Sequence, residues 1–251
     1  MKLAMRLLAL TAFTLTITAV LMQAKKSDDP KLSRAANAKI RALEKLHPEL
    51  EKKGLEYGSP IFIRIFKESK ELELFLRDPG SGSFKLLKTY EICTFSGTLG
   101  PKQKQGDRQA PEGFYFVPRK MMNPQSRYHL SFNLGYPNAY DRAHGRTGDY
   151  LMVHGNCVSI GCYAMTDPLI EEIYTLADGA LAKGQKFFRV HCFPFRMTEA
   201  RLEQAAADEA EAAWLPFWRN LKEGYDLFER ERVPPDTTVT GKRYRFTSGK
   251  R

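Results

Sequence analysis

Seven short hydrophobic runs separated by turn residues constrain the fold more than any other feature of this sequence. Two of them, residues 61–66 and 71–76, flank the polar turn 67–70 and are typical of a β-hairpin. Few helical patterns lie between the runs, whereas a parallel sheet needs a long crossover between successive strands. We therefore predict a mainly β fold with added helices, a mostly antiparallel β-sandwich or barrel rather than a doubly wound parallel sheet. The remaining runs span residues 85–92, 113–117, 128–133, 149–154 and 186–192.

Two helical segments precede and interrupt these strands. In residues 35–50, Ile40, Leu43 and Leu46 recur at helical spacing, which predicts a peripheral helix after a polar linker. A second helix is predicted to begin at residues 166–168, where a hydroxyl or acidic cap precedes a proline in the first turn. Its buried face is expected to comprise Ile170, Ile173, Tyr174, Ala177 and Leu181.

The first 24 residues have the pattern of an export signal, because a basic start is followed by an uncharged apolar stretch at residues 7–22. This stretch is shorter than the roughly 20 residues that cross a bilayer, so we expect cleavage, with an uncleaved anchor as the alternative. After residue 198 the composition becomes helical, and a basic tail follows Pro234 and Pro235. The predicted organisation is a signal peptide or anchor (1–24), a linker and peripheral helix (25–58), a main domain (59–197), and a helical C-terminal extension with a basic tail (198–251).

The chain carries 39 Lys and Arg against 29 Asp and Glu, a formal net charge of +10. Such an excess suits an acidic partner. For an exported protein, anionic envelope material is a more plausible partner than nucleic acid, and simple solubility is the alternative explanation. We therefore expect no nucleic-acid partner.

Residues 153–167, VHGNCVSIGCYAMTD, hold two of the four cysteines and one of the five histidines. A structural zinc site is disfavoured, because the spacings lack the paired short intervals of such sites, and no metal or organic cofactor is predicted. A disulfide between Cys157 and Cys162 would close a very small loop. Pairing of Cys157 with Cys93 or Cys192 remains open, since an oxidising compartment permits it but the sequence does not reveal connectivity.

The same stretch suits a thiol nucleophile with its base. A cysteine attacks only as thiolate, so its proton must pass to a nearby base. His154 ends a predicted strand, and a short loop then returns the chain to Cys162. Gly161 permits close backbone approach, so amides around residues 161–163 could donate to a developing oxyanion.

Three segments resemble the YkuD-type L,D-transpeptidase family: GDRQAPEGFYFV (106–117), YLMVHG (150–155) and SIGCYAM (159–165). That family carries a G-x-x-x-T-P-x-G-x-Y motif, an H-G strand end and an S-H-G-C-x-R/N motif, and the resemblance spans about residues 59–197. Within the family the chain is similar to the YafK branch. The strings that carry this likeness are KQKQGDRQAPEGFY, YPNAYDRAHG, MVHGNCVSIGCYAMTD and FPFRMT.

The resemblance implies a role for four residues. Cys162 falls on the nucleophile, His154 on the general base, Gly161 in the oxyanion region, and Ser159 where it would steady the loop or the base. The chain departs from the family where Ile160 replaces a second histidine, where Ala164 replaces an arginine or asparagine, and in its short His-to-Cys interval.

The resemblance also implies a reaction. The thiolate would attack the carbonyl on the L-centre of diaminopimelate in a peptidoglycan stem peptide, and water would hydrolyse the resulting thioester. The expected partners are stem peptides and wall-bound outer-membrane lipoprotein, which the enzyme would release as a periplasmic amidase, with the membrane contacted only through an uncleaved N-terminal segment. The alternatives are an L,D-transpeptidase that cross-links diaminopimelate or attaches lipoprotein, and an inactive wall-binding module. The oligomeric state is left open.

Two further segments are candidates for substrate binding. Arg142, with Tyr140 and Asp141 beside it, could pair bidentately with a stem-peptide carboxylate, although an ion pair between Asp141 and Arg142 is an equal alternative. Lys102 and Lys104 lie in a loop that could line the substrate groove, or they could be solvated only.

Overall fold

The computed structural model describes residues 28–250, in two units. Residues 28–33 belong to the first unit and contain a turn; residues 34–250 belong to the second. The predicted signal peptide or anchor lies outside the described residues. Among residues 28–250, no helix combines the length and the apolar character needed to cross a membrane.

Twelve strands and six α-helices build the described part of the second unit. The helices are α1 (Arg34–Lys53), α2 (Ala139–Ala143), α3 (Asp167–Ala182), α4 (Glu199–Ala207), α5 (Glu209–Ala212) and α6 (Leu215–Glu231). The strands are β1 (Ile61–Phe66), β2 (Glu71–Arg77), β3 (Phe84–Glu91), β4 (Thr94–Phe95), β5 (Gly113–Pro118), β6 (Met122–Asn123), β7 (Ser131–Asn133), β8 (Met152–His154), β9 (Tyr163–Ala164), β10 (Phe187–Phe193), β11 (Asp236–Thr240) and β12 (Arg243–Thr247).

Two five-stranded mixed sheets form the centre of the fold. The first has the order β3-β2-β1-β10-β5, and only its β1 and β10 run parallel. The second has the order β4-β9-β8-β7-β6, and only its β8 and β9 run parallel. Side chains of both sheets, such as Ile63, Val190, Phe132 and Val153, share one buried core. The predicted mainly β, mostly antiparallel fold with added helices is confirmed.

Helix α1 fully buries only one of the three residues expected on its apolar face, Leu46. Ile40 is exposed, and the buried apolar positions are Ala38, Ala42, Leu46 and Leu50. Small alanine side chains let α1 approach α3 closely, so the tight contact and not the larger residue selects the face. These four residues join the main core, so α1 is part of the packed domain.

Helix α3 forms where it was predicted, with Pro168 in its first turn and the expected apolar face buried. The side chain of its N-cap residue, Thr166, makes no capping bond. The carboxylate of Asp167 instead accepts a 2.7 Å hydrogen bond from the Asn156 amide. The start of α3 therefore anchors the loop that runs from β8 to β9.

The runs at 128–133 and 149–154 form strands only over Ser131–Asn133 and Met152–His154. His129 and Tyr150 have φ values of 65° and 51°, which lie in the left-handed region. This backbone conformation is incompatible with a regular strand. Each strand therefore begins after its left-handed residue.

The expected basic tail is instead the β11–β12 hairpin, which corrects the sequence prediction. Gly241 and Lys242 form its two-residue turn, both with positive φ, as a type I′ turn requires. Tyr244 is buried, and Phe246 packs 4.9 Å from the ring of Phe114. The alternation of basic and aromatic residues from 243 to 246 marks one solvated and one buried strand face.

Candidate active site

The parallel pairing of β8 and β9 determines which way the candidate residues point. Val153 pairs with Tyr163, and His154 pairs with Ala164. Because side chains alternate along a strand, Val153 and Tyr163 enter the core together, while His154 and Cys162 project to the opposite side. The register extends to Cys162, since the amide of its neighbour Met152 donates to Sγ at 3.4 Å.

Cys162 is a free, half-buried thiol. Its Sγ accepts from the Met152 amide and donates to the carbonyl oxygen of Tyr150 at 3.7 Å. Burial raises the pKa of the Cys162 thiol, while the Met152 amide and the positive charge of Lys102 act in the opposite direction. The resting group is therefore a thiol, and it needs a base to become a nucleophile.

His154 is buried and held in one tautomer. Its Nδ1 lies 2.6 Å from the carbonyl oxygen of Gly155, which can only accept, so Nδ1 carries the hydrogen and Nε2 the lone pair. Burial lowers the pKa of His154, so the ring is neutral near pH 7. The ring of Tyr128 packs over the imidazole at 4.6 Å and limits its rotation.

The backbone requires a glycine after His154. A Cβ at Gly155 would lie 2.5 Å from the Asp167 carboxylate and 3.0 Å from a methyl group of Ile170. Because Gly155 lacks a side chain, the end of β8 packs directly against the start of α3. This packing explains the H-G pair in physical terms.

Ser159 organises the loop before Cys162. Its Oγ accepts from the amides of Gly161 (3.2 Å) and Cys162 (3.0 Å) and donates to the carbonyl oxygen of Cys162 (2.7 Å). The Ser96 hydroxyl donates a further 3.0 Å hydrogen bond to Oγ of Ser159. The Gly161 and Cys162 amides, which were expected to face an oxyanion, thus donate to Ser159 inside the loop. A substrate oxygen would have to replace the Ser159 hydroxyl to accept from them.

A disulfide joins Cys157 to Cys93, which resolves the pairing that the sequence left open. It connects the loop between β8 and β9 to the segment that precedes β4. The Cys157 amide also donates to the carbonyl oxygen of Met165 at 3.1 Å. Cys192 is buried and free, so Cys162 is the one free cysteine with solvent access in the described part of the chain.

Lys102 is buried and ion-paired, so the alternative that this lysine only contacts solvent is wrong. Its Nζ lies 2.5 Å from Oδ1 of Asp107 and donates to the carbonyl oxygen of Lys104. A Cβ at Gly148 would contact its side chain at 2.7 Å, so the segment before β8 lies against it. Lys102 therefore places a fixed positive charge within electrostatic reach of Cys162.

The three residues predicted to bind substrate lie elsewhere. Asp141 is fully buried, pairs with Arg146 at 2.8 Å and accepts from the Tyr115 hydroxyl; burial raises its pKa and Arg146 opposes this. Tyr140 is buried and stacks on Tyr244. These two assignments are corrected, because neither side chain is accessible to a substrate, and the ion pair expected between Asp141 and Arg142 is made with Arg146 instead.

Arg142 is exposed, and its guanidinium donates to the carbonyl oxygen of Pro137. It lines a cavity together with Asn138 and Tyr244, and neither Cys162 nor His154 borders that cavity. The structure thus does not bring Arg142 to the thiol.

Sequence reasoning missed Tyr128 and the burial of Lys102. Tyr128 sits inside a predicted strand, where an aromatic residue is ordinarily part of the core. Lysine is rarely buried without a partner, and the five-residue spacing from Lys102 to Asp107 is a signal that could have indicated the pair.

Among the described residues, no three or more His, Cys, Asp or Glu side chains are arranged to hold a metal ion. The residues brought together at the β8–β9 pair are thus a free thiol, a neutral imidazole and a serine-organised loop. A thiol and a neutral imidazole on one side of a strand pair are the two groups that a cysteine nucleophile and its base require.

Comparison with known proteins gives consistent results. A family model described as the YkuD L,D-transpeptidase catalytic domain matches residues 67–191. The Escherichia coli K12 protein named "Putative L,D-transpeptidase YafK" is 50% identical over 187 residues, which cover 74% of this chain and 74% of that protein. A protein of the same name from Escherichia coli O157:H7 matches equally.

Two solved structures show partial resemblance. The helical cell shape determining protein Pgp2 from Campylobacter jejuni is 22% identical and has a TM-score of 0.44, with 59% of this chain and 55% of that chain covered. Bd1075 from Bdellovibrio bacteriovorus is 17% identical and has a TM-score of 0.38, with 73% and 78% covered. On the strength of the family model and the half-identical relatives, the chain belongs to the YkuD-type L,D-transpeptidase family, in its YafK branch, and is an enzyme of that family.

Proposed function

We propose that this enzyme is a periplasmic cysteine amidase that releases outer-membrane lipoprotein from peptidoglycan. Cys162 is the nucleophile and His154 the general base in this proposal. The observation that carries it is the fixed tautomer of His154, whose Nε2 lone pair is free on the side of the β8–β9 pair that also presents the Cys162 thiol. The net charge of +10 suits an anionic wall substrate.

In the first half-reaction, His154 Nε2 takes the proton from Cys162, and the thiolate forms a bond to the L-centre carbonyl carbon of diaminopimelate. The negative charge moves to the carbonyl oxygen and is stabilised by amides of the 159–162 loop as they exchange the Ser159 hydroxyl for that oxygen. The carbon–nitrogen bond to the lipoprotein lysine then breaks, and the leaving amine takes the proton from His154. An acyl thioester on Cys162 remains.

In the second half-reaction, a water molecule gives a proton to His154 and attacks the thioester. The carbon–sulfur bond breaks, the sulfur regains its proton, and the wall peptide leaves as a carboxylic acid. Attack by an amine in place of water would make the enzyme a transpeptidase, which the name of the half-identical relative favours. Hydrolysis is supported by Ile160 and Ala164, which depart from the family's transpeptidase motif.

The test is mass spectrometry of purified, lipoprotein-bearing walls after incubation with the protein. We expect freed lipoprotein and stem peptides that end in a diaminopimelate carboxylate, and Cys162→Ala should abolish both. The matched control is Cys192→Ala, which removes the buried free cysteine and should retain activity. New diaminopimelate cross-links without release would establish transfer instead, and release by Cys162→Ala at the parent rate would refute the nucleophile.

A further inference from the structure

The three most exposed large hydrophobic side chains of the described residues lie in the two segments next to the Cys162 sulfur. Ile160 is 79% exposed, Tyr150 72% and Val158 50%, whereas the next, Ile40, is 43% exposed. The carbonyl oxygen of Tyr150 is 3.7 Å from Sγ, and Ile160 precedes Cys162 by two residues. Scattered exposed hydrophobic residues need no explanation, but their concentration beside a reactive atom does.

The backbone at Tyr150 is a second, independent observation. Its φ of 51° is in the left-handed region, which disfavours a bulky aromatic residue and suits glycine or asparagine. The ring gains little compensation from packing, since most of it faces solvent. Strain of this kind, unrelieved by the fold, is typical of residues that contact a ligand.

We propose that Tyr150, Val158 and Ile160 form an apolar subsite for hydrophobic side chains of the polypeptide on the leaving side of the scissile amide. This proposal rests on the proposed function and adds to it a determinant of substrate choice. The carbonyl oxygen of Tyr150 contacts Sγ and Ile160 lies two residues from Cys162, so the occupant of the subsite can belong to the substrate molecule that reacts at the sulfur. The ionised ends of a stem peptide and the methyl group of alanine are too polar or too small to cover three such side chains, whereas a polypeptide is not.

The subsite has a kinetic consequence. Contacts made away from the reacting carbonyl raise kcat/KM when they hold the substrate in the reactive position. Stem peptides that carry a protein are therefore better substrates than stem peptides that carry a lone lysine. The enzyme's preference between these substrates therefore comes from contacts with the leaving polypeptide and not from contacts with the stem peptide of the wall.

Two synthetic substrates test this. In both, diaminopimelate of a stem peptide is joined to lysine; in one the lysine is alone, and in the other it ends a peptide with apolar side chains. Tyr150→Asn, which fits the left-handed backbone and keeps the main-chain carbonyl, and Val158→Ser should each lower kcat/KM about tenfold on the peptide substrate, and neither should change it on the lone-lysine substrate. Ile40→Ser, an exposed isoleucine on α1, is the matched control and should change neither value.

An equal fall in kcat/KM on both substrates would show that the three side chains bind the stem peptide and would overturn the proposal. Unchanged kcat/KM values on both substrates would show that the side chains contact neither part of the substrate, which would also overturn it. So would a loss of binding to vesicles of anionic phospholipid with both kcat/KM values intact, since the patch would then serve a membrane. If the parent hydrolyses neither substrate, the proposed function itself fails and the subsite falls with it.

Discussion

Two opposing influences act on the sulfur of Cys162. Burial favours the neutral thiol, while the Met152 amide and Lys102 favour the thiolate. His154 is also neutral, because burial disfavours its imidazolium form. The two resting groups therefore differ from a preformed thiolate–imidazolium pair, and in the proposed mechanism charge separation accompanies substrate attack.

Lys102→Gln should raise the apparent pKa of Cys162 further, because it removes a positive charge and leaves Asp107 negative. The measurement is the rate of iodoacetamide labelling of Cys162 against pH, and the whole profile should move to higher pH. Lys104→Gln, which removes an exposed lysine from the same loop, is the control and should leave the profile in place. Lys102→Arg should restore the parent profile; if it does not, the effect comes from altered packing and not from charge.

Among the elements, the loop between β8 and β9 depends most on its attachments. The Asp167 carboxylate accepts a hydrogen bond from the Asn156 amide at the start of the loop, and the Cys93–Cys157 disulfide fixes its middle. The Ser159 hydroxyl accepts from the Cys162 amide at its end. Asn156 and Cys157 both have positive φ, at 65° and 44°, which a free loop would relax. The bridge thus contributes to the position of Cys162 without touching it.

The double variant Cys93→Ser, Cys157→Ser should lose activity and stability together. The bridge spans 64 residues, and removal of a bridge of this size costs about 2–4 kcal/mol of unfolding free energy. Thermal unfolding and the lipoprotein-release rate are the measurements. Parent-level activity in a protein that is measurably less stable would show that the bridge stabilises the fold but does not position the nucleophile.

Elements with a clear period were predictable, and elements held by tertiary contacts were not. The hairpin of β1 and β2 and the apolar face of α3 follow from local spacing. The two-residue strands β4, β6 and β9 are too short to show an alternation of apolar and polar residues. Nothing in the sequence indicates the left-handed backbone at Tyr150, which delays the start of β8. The charges of residues 242–250 concealed the β11–β12 hairpin, although Tyr244 and Phe246 alternate with them.

Site prediction had the same limit. Cys162, His154 and Ser159 lie within one short segment, so a motif was sufficient to identify them as candidates. The partner of Cys157 and the charge near Cys162 come from residues 93 and 102, which only the folded chain brings to the site. Tyr140 and Asp141 lie close to the candidate strand in sequence but are buried in another part of the fold.

Across the whole molecule, a buried network joins the C-terminal extension to the catalytic domain. Glu112 is fully buried and accepts from Lys67 at 3.0 Å, from the Gly100 amide at 2.8 Å and from Nε1 of Trp218 at 2.8 Å. Lys67 directly follows β1, while Trp218 belongs to α6. The extension thus supplies a hydrogen bond that a buried carboxylate needs.

Trp218→Phe should destabilise the protein by about 1–3 kcal/mol or more, because a buried charged acceptor loses a donor and the smaller ring leaves a cavity. Urea unfolding measures the change. Trp214→Phe, a half-buried tryptophan at the start of α6, is the matched control and should cost less. Equal losses in the two variants would mean that lost packing, rather than the bond to Glu112, determines the effect.

The Cys93–Cys157 bridge also bears on when the molecule becomes active. Thiols stay reduced in a bacterial cytosol and oxidise in the envelope. In a newly made chain that has not been exported, the β8–β9 loop before Cys162 would lack the Cys93–Cys157 disulfide. Under the proposed periplasmic function, we expect the bridge to form, and the loop before Cys162 to be held, only after translocation.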